Sequence, residues 1–141
     1  MLNNLFGKKD APTFKDRIIL VVDDNEVDRK IIVHALKDLG CRVMTAENGA
    51  EGYIKALSHK PDLILSDCNM PIMDGVAMCR QIKENEATKD IPVIFLTGVD
   101  SPSNLVECFS LDAENFMCKP INPKVLATQI QQVLQEHFRA D

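Results

Sequence analysis

The sequence contains no tryptophan, one tyrosine and no Cys-x-x-Cys pair among its five cysteines. An odd number of cysteines without paired spacing favours reduced thiols over a disulfide framework or a zinc site. No apolar run approaches the roughly 20 residues that a membrane-spanning helix needs. Residues 1–9 also lack the continuous apolar segment of a signal peptide. These absences predict a soluble protein of the cytoplasm.

Positive charge is scarce as well, with 16 Lys and Arg residues against 21 Asp and Glu residues and a formal net charge of −5. A chain of this charge has no general attraction for nucleic acids or anionic membranes, so direct nucleic-acid binding is not expected. Its 141 residues, of which 45% are hydrophobic and 26% charged, suffice for one folded domain with a full core.

Short apolar runs alternate with amphipathic stretches from residue 17 onward, which indicates repeated β-α units. Residues 1–16 are polar and irregular and are predicted to form an N-terminal arm, with the folded domain spanning residues 17–141. Most runs are continuously apolar, which is expected when helices cover both faces of a parallel sheet. The predicted strands cover residues 18–22, 43–46, 63–65, 93–96 and 116–118.

Five predicted helices follow the strands. The second covers about residues 48–58, and the third begins near Asp74. The fourth and fifth begin at Ser101 and Asn122, each a good N-cap residue followed by proline. Right-handed connections favour a doubly wound, five-stranded parallel sheet of the α/β class, with its functional crevice at the carboxyl ends of the strands. The first helix is predicted to bury a face with a spacing of four residues, formed by Val27, Ile31, Ala35 and Leu39.

Polar residues follow the predicted strands where this crevice is expected. In chain order they are Asp23, Asp24, Asp67, Thr97 and Lys119. Because parallel strands end at one edge of the sheet, these side chains are expected to converge. Three carboxylates need compensating positive charge, which a hard divalent cation such as Mg2+ would supply together with Lys119. A phosphoryl group would then fit into the crevice without prohibitive repulsion.

Each of these residues also has an ordinary structural explanation. Asp23 or Asp24 is suited to capping the first helix. Thr97 is β-branched and suited to packing within a strand, and most lysines, like Lys119, are simply solvated. The functional interpretation therefore depends on the set and not on any single residue.

Four segments together resemble the receiver domains of bacterial two-component response regulators. They are IILVVDD, LILSDCNMPIMDG, VIFLTG and FMCKP, and the resemblance covers residues 17–138. Single-domain regulators of the chemotaxis type are the nearest comparison, because little of the chain remains for an output domain. The resemblance implies a CheY-like, flavodoxin-like fold, with residues 17–141 as the receiver domain.

Carried over residue by residue, the resemblance implies that Asp67 is the phosphoacceptor and forms an acyl phosphate. The donor would be a phosphohistidine of a sensor histidine kinase or phosphotransfer protein, or a small molecule such as acetyl phosphate. Asp24 would bind Mg2+ directly and Asp23 largely through water, with Asp67 and the backbone carbonyl of Asn69 as further ligands. Lys119 would contact the phosphoryl group.

The resemblance also implies a switch between two conformations. Thr97 would move toward the phosphoryl group after transfer, and Phe116 occupies the switch-aromatic position. Phenylalanine cannot form the hydroxyl hydrogen bond that tyrosine makes there, and core packing is the alternative for Phe116. Pro71 and Gly75 would shape the loop after the phosphoacceptor. A surface formed by the fourth predicted helix, the fifth strand and the fifth predicted helix would bind an unknown protein target.

Several other interpretations stay open. The chain is compatible with a receiver placed ahead of a C-terminal output domain, or with a pseudo-receiver that works without phosphorylation. A phosphatase of the haloacid dehalogenase type uses the same acyl-phosphate chemistry, but it needs an acidic residue where this chain has Asn69. Cys68 suits a small apolar filler, with redox control as the alternative. In the leading interpretation the protein is not an enzyme and catalyses only its own aspartyl phosphorylation and dephosphorylation.

Overall fold

Five strands form one parallel sheet with the order β2-β1-β3-β4-β5. The computed structural model describes residues 14–98 and 115–138, apart from the side chains of Thr97, Asn115 and Phe116. The order reverses between β1 and β3, which confirms the predicted doubly wound fold. The strands are β1 (Ile18–Val22), β2 (Arg42–Ala46), β3 (Leu63–Asp67), β4 (Val93–Thr97) and β5 (Asn115–Cys118).

Four helices lie within the described residues, while the helix predicted from Ser101 onward lies outside them. The side chain of the residue before each helix accepts a backbone N–H of its first turn. The starts predicted near Asp74 and Asn122 are confirmed. None of the described helices is long and apolar enough to cross a bilayer. The helices are α1 (Glu26–Lys37), α2 (Gly49–His59), α3 (Gly75–Glu84) and α4 (Pro123–His137).

The sheet is packed on both faces, as the continuously apolar strands predict. One core cluster joins α1 and α4 to the sheet, and the other joins α2 and α3 to it. The prediction for the buried face of α1 is partly wrong, because Val27 is 65% exposed. An α-helix has 3.6 residues per turn, so a row with a spacing of four drifts around the axis. The buried stripe consists of Ile32, Ala35, Leu36 and Leu39.

Both ends of the described chain lie at the amino edge of the sheet. Phe14 is buried in the core, and its backbone N–H donates to the carbonyl of Leu39 at 3.3 Å. The guanidinium of Arg17, just before β1, lies 4.1 Å from the ring centroid of Phe138, just after α4. The predicted domain boundary at residue 17 stays a prediction, although one residue of the arm packs in the core.

Gly75 begins α3 where that helix passes close to the end of β3. Its backbone N–H donates to the carbonyl of Cys68 at 2.9 Å. A Cβ atom at position 75 would lie 2.0 Å from the carbonyl oxygen of Asp67. That oxygen is backbone, so it cannot rotate away as a flexible side chain can. Glycine is therefore required here by the close approach of two backbone segments.

Gly75→Ala is expected to lower the free energy of unfolding by about 3 kcal/mol, because the added methyl group forces α3 away from β3. Urea denaturation followed by circular dichroism measures this loss. Gly98→Ala is the matched control, since a Cβ atom at Gly98 meets no atom of the described residues within 4 Å. Equal midpoints for the two variants would contradict the steric explanation.

Candidate functional site

Three carboxylates meet at the carboxyl edge of the sheet. Asp23 and Asp24 follow β1, and Asp67 ends the neighbouring strand β3. One oxygen atom from each of the three lies within 4.8 Å of the others. Asp23 is fully buried, Asp67 is partly buried and Asp24 is exposed. The convergence predicted for these three carboxylates is therefore present in the structure.

The buried carboxylate of Asp23 is held in place by the start of α1. Its Oδ1 atom accepts the backbone N–H of Asn25 at 2.9 Å. The backbone of Asp23 is fixed as well, because its N–H donates to the carbonyl of Ala46 at 3.1 Å and its carbonyl accepts from Arg29 Nη1 at 2.7 Å. A charged group that is fully buried requires such hydrogen-bond partners.

Lys119 reaches the carboxylates from the far side of β4. It follows β5, which is separated from β3 by the intervening strand β4. Its Nζ atom lies 2.9 Å from Asp23 Oδ2 and 3.3 Å from Asp67 Oδ2. The predicted pairing of Lys119 with the carboxylates is present. This lysine is therefore not simply a solvated surface side chain.

The pKa values of the two central groups reflect this arrangement. Burial raises the pKa of Asp67, and the charge of Asp23 adds to that rise, while the adjacent Lys119 opposes it. Burial alone would lower the pKa of Lys119, but its hydrogen bonds to Asp23 and Asp28 and the surrounding negative charge raise it well above its usual range. Lys119 therefore stays charged at any physiological pH.

Asp28 also belongs to this site, although the sequence analysis did not single it out. Its Oδ2 atom lies 3.0 Å from Lys119 Nζ. Asp28 lies in the first turn of α1, where an acidic residue has the ordinary explanation of favouring the helix dipole. No motif or spacing in the sequence distinguishes it from an ordinary acid at a helix start.

The loop between β3 and α3 borders the carboxylates. Asn69 is exposed in this loop, and Cys68 is fully buried, as expected for an apolar filler. Ile72 has φ = 71° and is 83% exposed. A β-branched residue rarely adopts this left-handed conformation, so the loop is strained next to the site.

The two predicted switch residues have described backbones only. Thr97 ends β4, where it pairs with Cys118, and Phe116 pairs with Phe95 of β4. Their side chains lie outside the described part of the structure. Thr97 ends its strand and Phe116 lies within the fifth strand, as predicted, and the roles of both residues stay predictions.

A family model described as the response regulator receiver domain matches residues 19–131. Among solved structures, chemotaxis protein CheY4 of Vibrio cholerae is similar with a TM-score of 0.77 and 35% identity, covering 84% of this chain and 98% of that chain. The receiver domain of sensor histidine kinase PA1611 from Pseudomonas aeruginosa, solved with a magnesium ion coordinated in its active-site cleft, has a TM-score of 0.74 and 29% identity, covering 85% of this chain and 95% of that chain.

Curated relatives include longer regulators. The phosphate regulon transcriptional regulatory protein PhoB of Pseudomonas aeruginosa is 34% identical over 119 residues, which cover 84% of this chain and 52% of PhoB. The two-component response regulator ARR17 of Arabidopsis thaliana is 34% identical over 119 residues, which cover 73% of this chain and 75% of that protein. The chain spans about half the length of the transcriptional regulators that it matches.

Proposed function

The chain belongs to the response regulator receiver domain family, whose members are signalling phosphoacceptors, and on this premise we propose that it accepts a phosphoryl group on Asp67. One observation carries the proposal. The Nζ atom of Lys119 lies 3.3 Å from Asp67 Oδ2, at an edge where three carboxylates also meet. The carboxylate of Asp67, a cation and further carboxylate oxygens thus lie close together, which supports the proposal.

The transfer would form one bond and break another. A carboxylate oxygen of Asp67 attacks the phosphorus atom of the donor, so that a new P–O bond makes the acyl phosphate. With a phosphohistidine donor the P–N bond breaks and imidazole leaves, whereas with acetyl phosphate a P–O bond breaks and acetate leaves. Lys119 would neutralise the charge that moves onto the phosphoryl oxygens. Attack of water on the acyl phosphate would later release inorganic phosphate and restore Asp67.

The residues present fit a bound Mg2+ ion, because three carboxylates carry more negative charge than Lys119 alone can balance. Asp23, Asp24 and Asp67 would hold the ion, together with the backbone carbonyl of Asn69. When bound, the ion would stabilise negative charge on the transferred phosphoryl group. Burial raises the pKa of Asp67, and the positive charge of Lys119 opposes that rise. Positive charge beside Asp67 therefore favours the ionised, nucleophilic form of its carboxylate.

The proposed output is a change of conformation read by a partner. Thr97 and Phe116 would respond to the phosphoryl group, and the surface that includes β5 and α4 would bind a protein target. Response regulators of this family receive phosphate from histidine kinases, and a kinase or phosphotransfer protein is the proposed upstream partner. Residues 17–141 form the receiver domain in this proposal, and residues 1–16 form the arm. The cytoplasmic location stays a prediction.

The test is the uptake of phosphate by the purified protein. Incubation with acetyl phosphate and Mg2+ is expected to add one phosphoryl group per chain, which intact mass spectrometry detects. Addition of EDTA before the donor is expected to prevent the gain in mass. Borohydride reduction followed by peptide mapping locates the acyl phosphate. A chain that gains no mass, or a label at a residue other than Asp67, overturns the proposal.

Two alternatives from the sequence make different predictions. A haloacid dehalogenase type phosphatase would hydrolyse phosphate monoesters with turnover, but position 69 carries asparagine where that family needs an acid. A pseudo-receiver would bind its partner with equal affinity in the presence and absence of beryllofluoride. A receiver within a longer regulator would show the same uptake of phosphate, and the transcriptional regulators among the relatives support such an arrangement.

A further inference from the structure

Lys119 is shared among three carboxylates. An ammonium group has three N–H donors, and the nearest carboxylate oxygens lie at 2.9 Å on Asp23, 3.0 Å on Asp28 and 3.3 Å on Asp67. The longest of the three contacts is the one to the proposed phosphoacceptor. In the resting state Lys119 is therefore held more closely by the two residues at the start of α1 than by Asp67.

The carboxylate of Asp28 is not used for capping its helix. An acid at the third helical position often accepts the backbone N–H of the N-cap residue. Here the N–H of Asn25 donates instead to Asp23 Oδ1 at 2.9 Å. The backbone N–H of Asp28 donates to Asn25 Oδ1 at 2.9 Å, and the Asp28 side chain is left to contact Lys119.

Resting on the proposed function, the geometry assigns to Asp28 the role of a positioning residue that restrains Lys119. In this role Asp28 acts through Lys119 and not on the phosphoryl group itself. It competes with Asp67 for the ammonium group of Lys119, and it adds a further negative charge beside a crevice that an anionic donor must enter. Lys119 has to weaken its contact with Asp28 before it can stabilise the charge on the transferred phosphoryl group. Asp28 thereby sets how readily the domain becomes phosphorylated.

The variant that tests this role is Asp28→Asn, which keeps the size of the side chain and removes its charge. At saturating Mg2+, its maximal rate of phosphorylation by acetyl phosphate is expected to be about fivefold above that of the wild type, the effect of losing one partly exposed ion pair. Asp28→Glu retains the negative charge, and its longer side chain can still contact Lys119. Its rate is expected to be close to that of the wild type.

Glu26→Gln is the matched control, because Glu26 lies in the same helical turn and pairs with Lys30 at 3.3 Å instead of Lys119. Both substitutions remove one negative charge near the crevice and one favourable charge from the start of α1. Loss of general repulsion alone would lower the half-saturating donor concentration in both variants. Release of Lys119 raises the maximal rate in Asp28→Asn only, so an equal gain in Glu26→Gln overturns the assignment.

A second measurement uses the metal-free protein without a donor. Proton-detected 15N spectra of the lysine ammonium groups report how fast their protons exchange with water. The Lys119 signal is expected to broaden in Asp28→Asn and to stay unchanged in Glu26→Gln. If the wild type takes up phosphate and neither the rate nor this signal changes in Asp28→Asn, the result contradicts the role of Asp28 but not the proposed function. If the wild type takes up no phosphate, the result contradicts both the proposed function and the role assigned to Asp28.

Discussion

Asp67→Asn is expected to abolish uptake of phosphate from acetyl phosphate in the presence of Mg2+. The amide has no anionic oxygen with which to attack phosphorus, and no other aspartate of the site is placed like Asp67, which ends β3 with partial exposure. Asp23 is fully buried and already bonded to Asn25 and Lys119. Intact mass spectrometry over a time course measures the loss.

The stability of Asp67→Asn separates this chemical loss from unfolding. The pKa of Asp67 is raised in the folded chain, so the folded state binds its proton more tightly than the unfolded state does. Above the ordinary pKa of an aspartate, the ionised side chain therefore costs stability in the metal-free protein. The variant is expected to melt at the same temperature as the wild type or slightly higher. Asp90→Asn, at an exposed position outside the site, is the control and is expected to take up phosphate normally.

Lys119→Met is expected to slow phosphorylation about 100-fold, the size of effect seen when one charge-stabilising donor is removed from an active site. Methionine has nearly the same length and flexibility but no charge. The carboxylates of Asp23, Asp28 and Asp67 would then lose the ammonium group that contacts all three of them. Phosphorylation kinetics at saturating Mg2+ measure the loss.

The same substitution is expected to lower the free energy of unfolding of the metal-free protein by about 2 kcal/mol, because the fully buried Asp23 loses its partner. This loss is smaller than that for a fully buried pair, since the Lys119 side chain is 19% exposed. Added Mg2+ is expected to recover part of it. Lys89→Met removes an exposed lysine paired with Glu86 and is the control. Wild-type kinetics in Lys119→Met would contradict the role of Lys119.

Much of the site was predictable because strand ends in a parallel sheet share one edge. Asp23, Asp24, Asp67 and Lys119 each follow an apolar run, so the rule that places the crevice also places these side chains. The fold was predictable for the same reason, since continuously apolar strands and short connections leave few arrangements.

Other features could not be read from the chain. Asp28 lies on a helix and not at a strand end, and an acid in a first helical turn is ordinary. Only the contact between Lys119 Nζ and Asp28 Oδ2 in the structure shows that this acid faces the crevice. The buried side of α1 was misplaced at Val27 because a spacing of four does not follow the helical repeat. The distances from Lys119 Nζ to the three carboxylates depend on side-chain packing, which no sequence motif specifies.

The pairing of Arg17 with Phe138 fixes where the described chain enters and leaves the fold. Both points lie at the edge of the sheet opposite the carboxylates, and a five-residue strand such as β1 separates the two edges by about 16 Å. A fluorophore or an affinity handle attached at either point therefore starts on the far side of the domain from the carboxylate crevice. Immobilisation through such a handle would leave that crevice facing the solution, where the proposed phosphodonor can reach it.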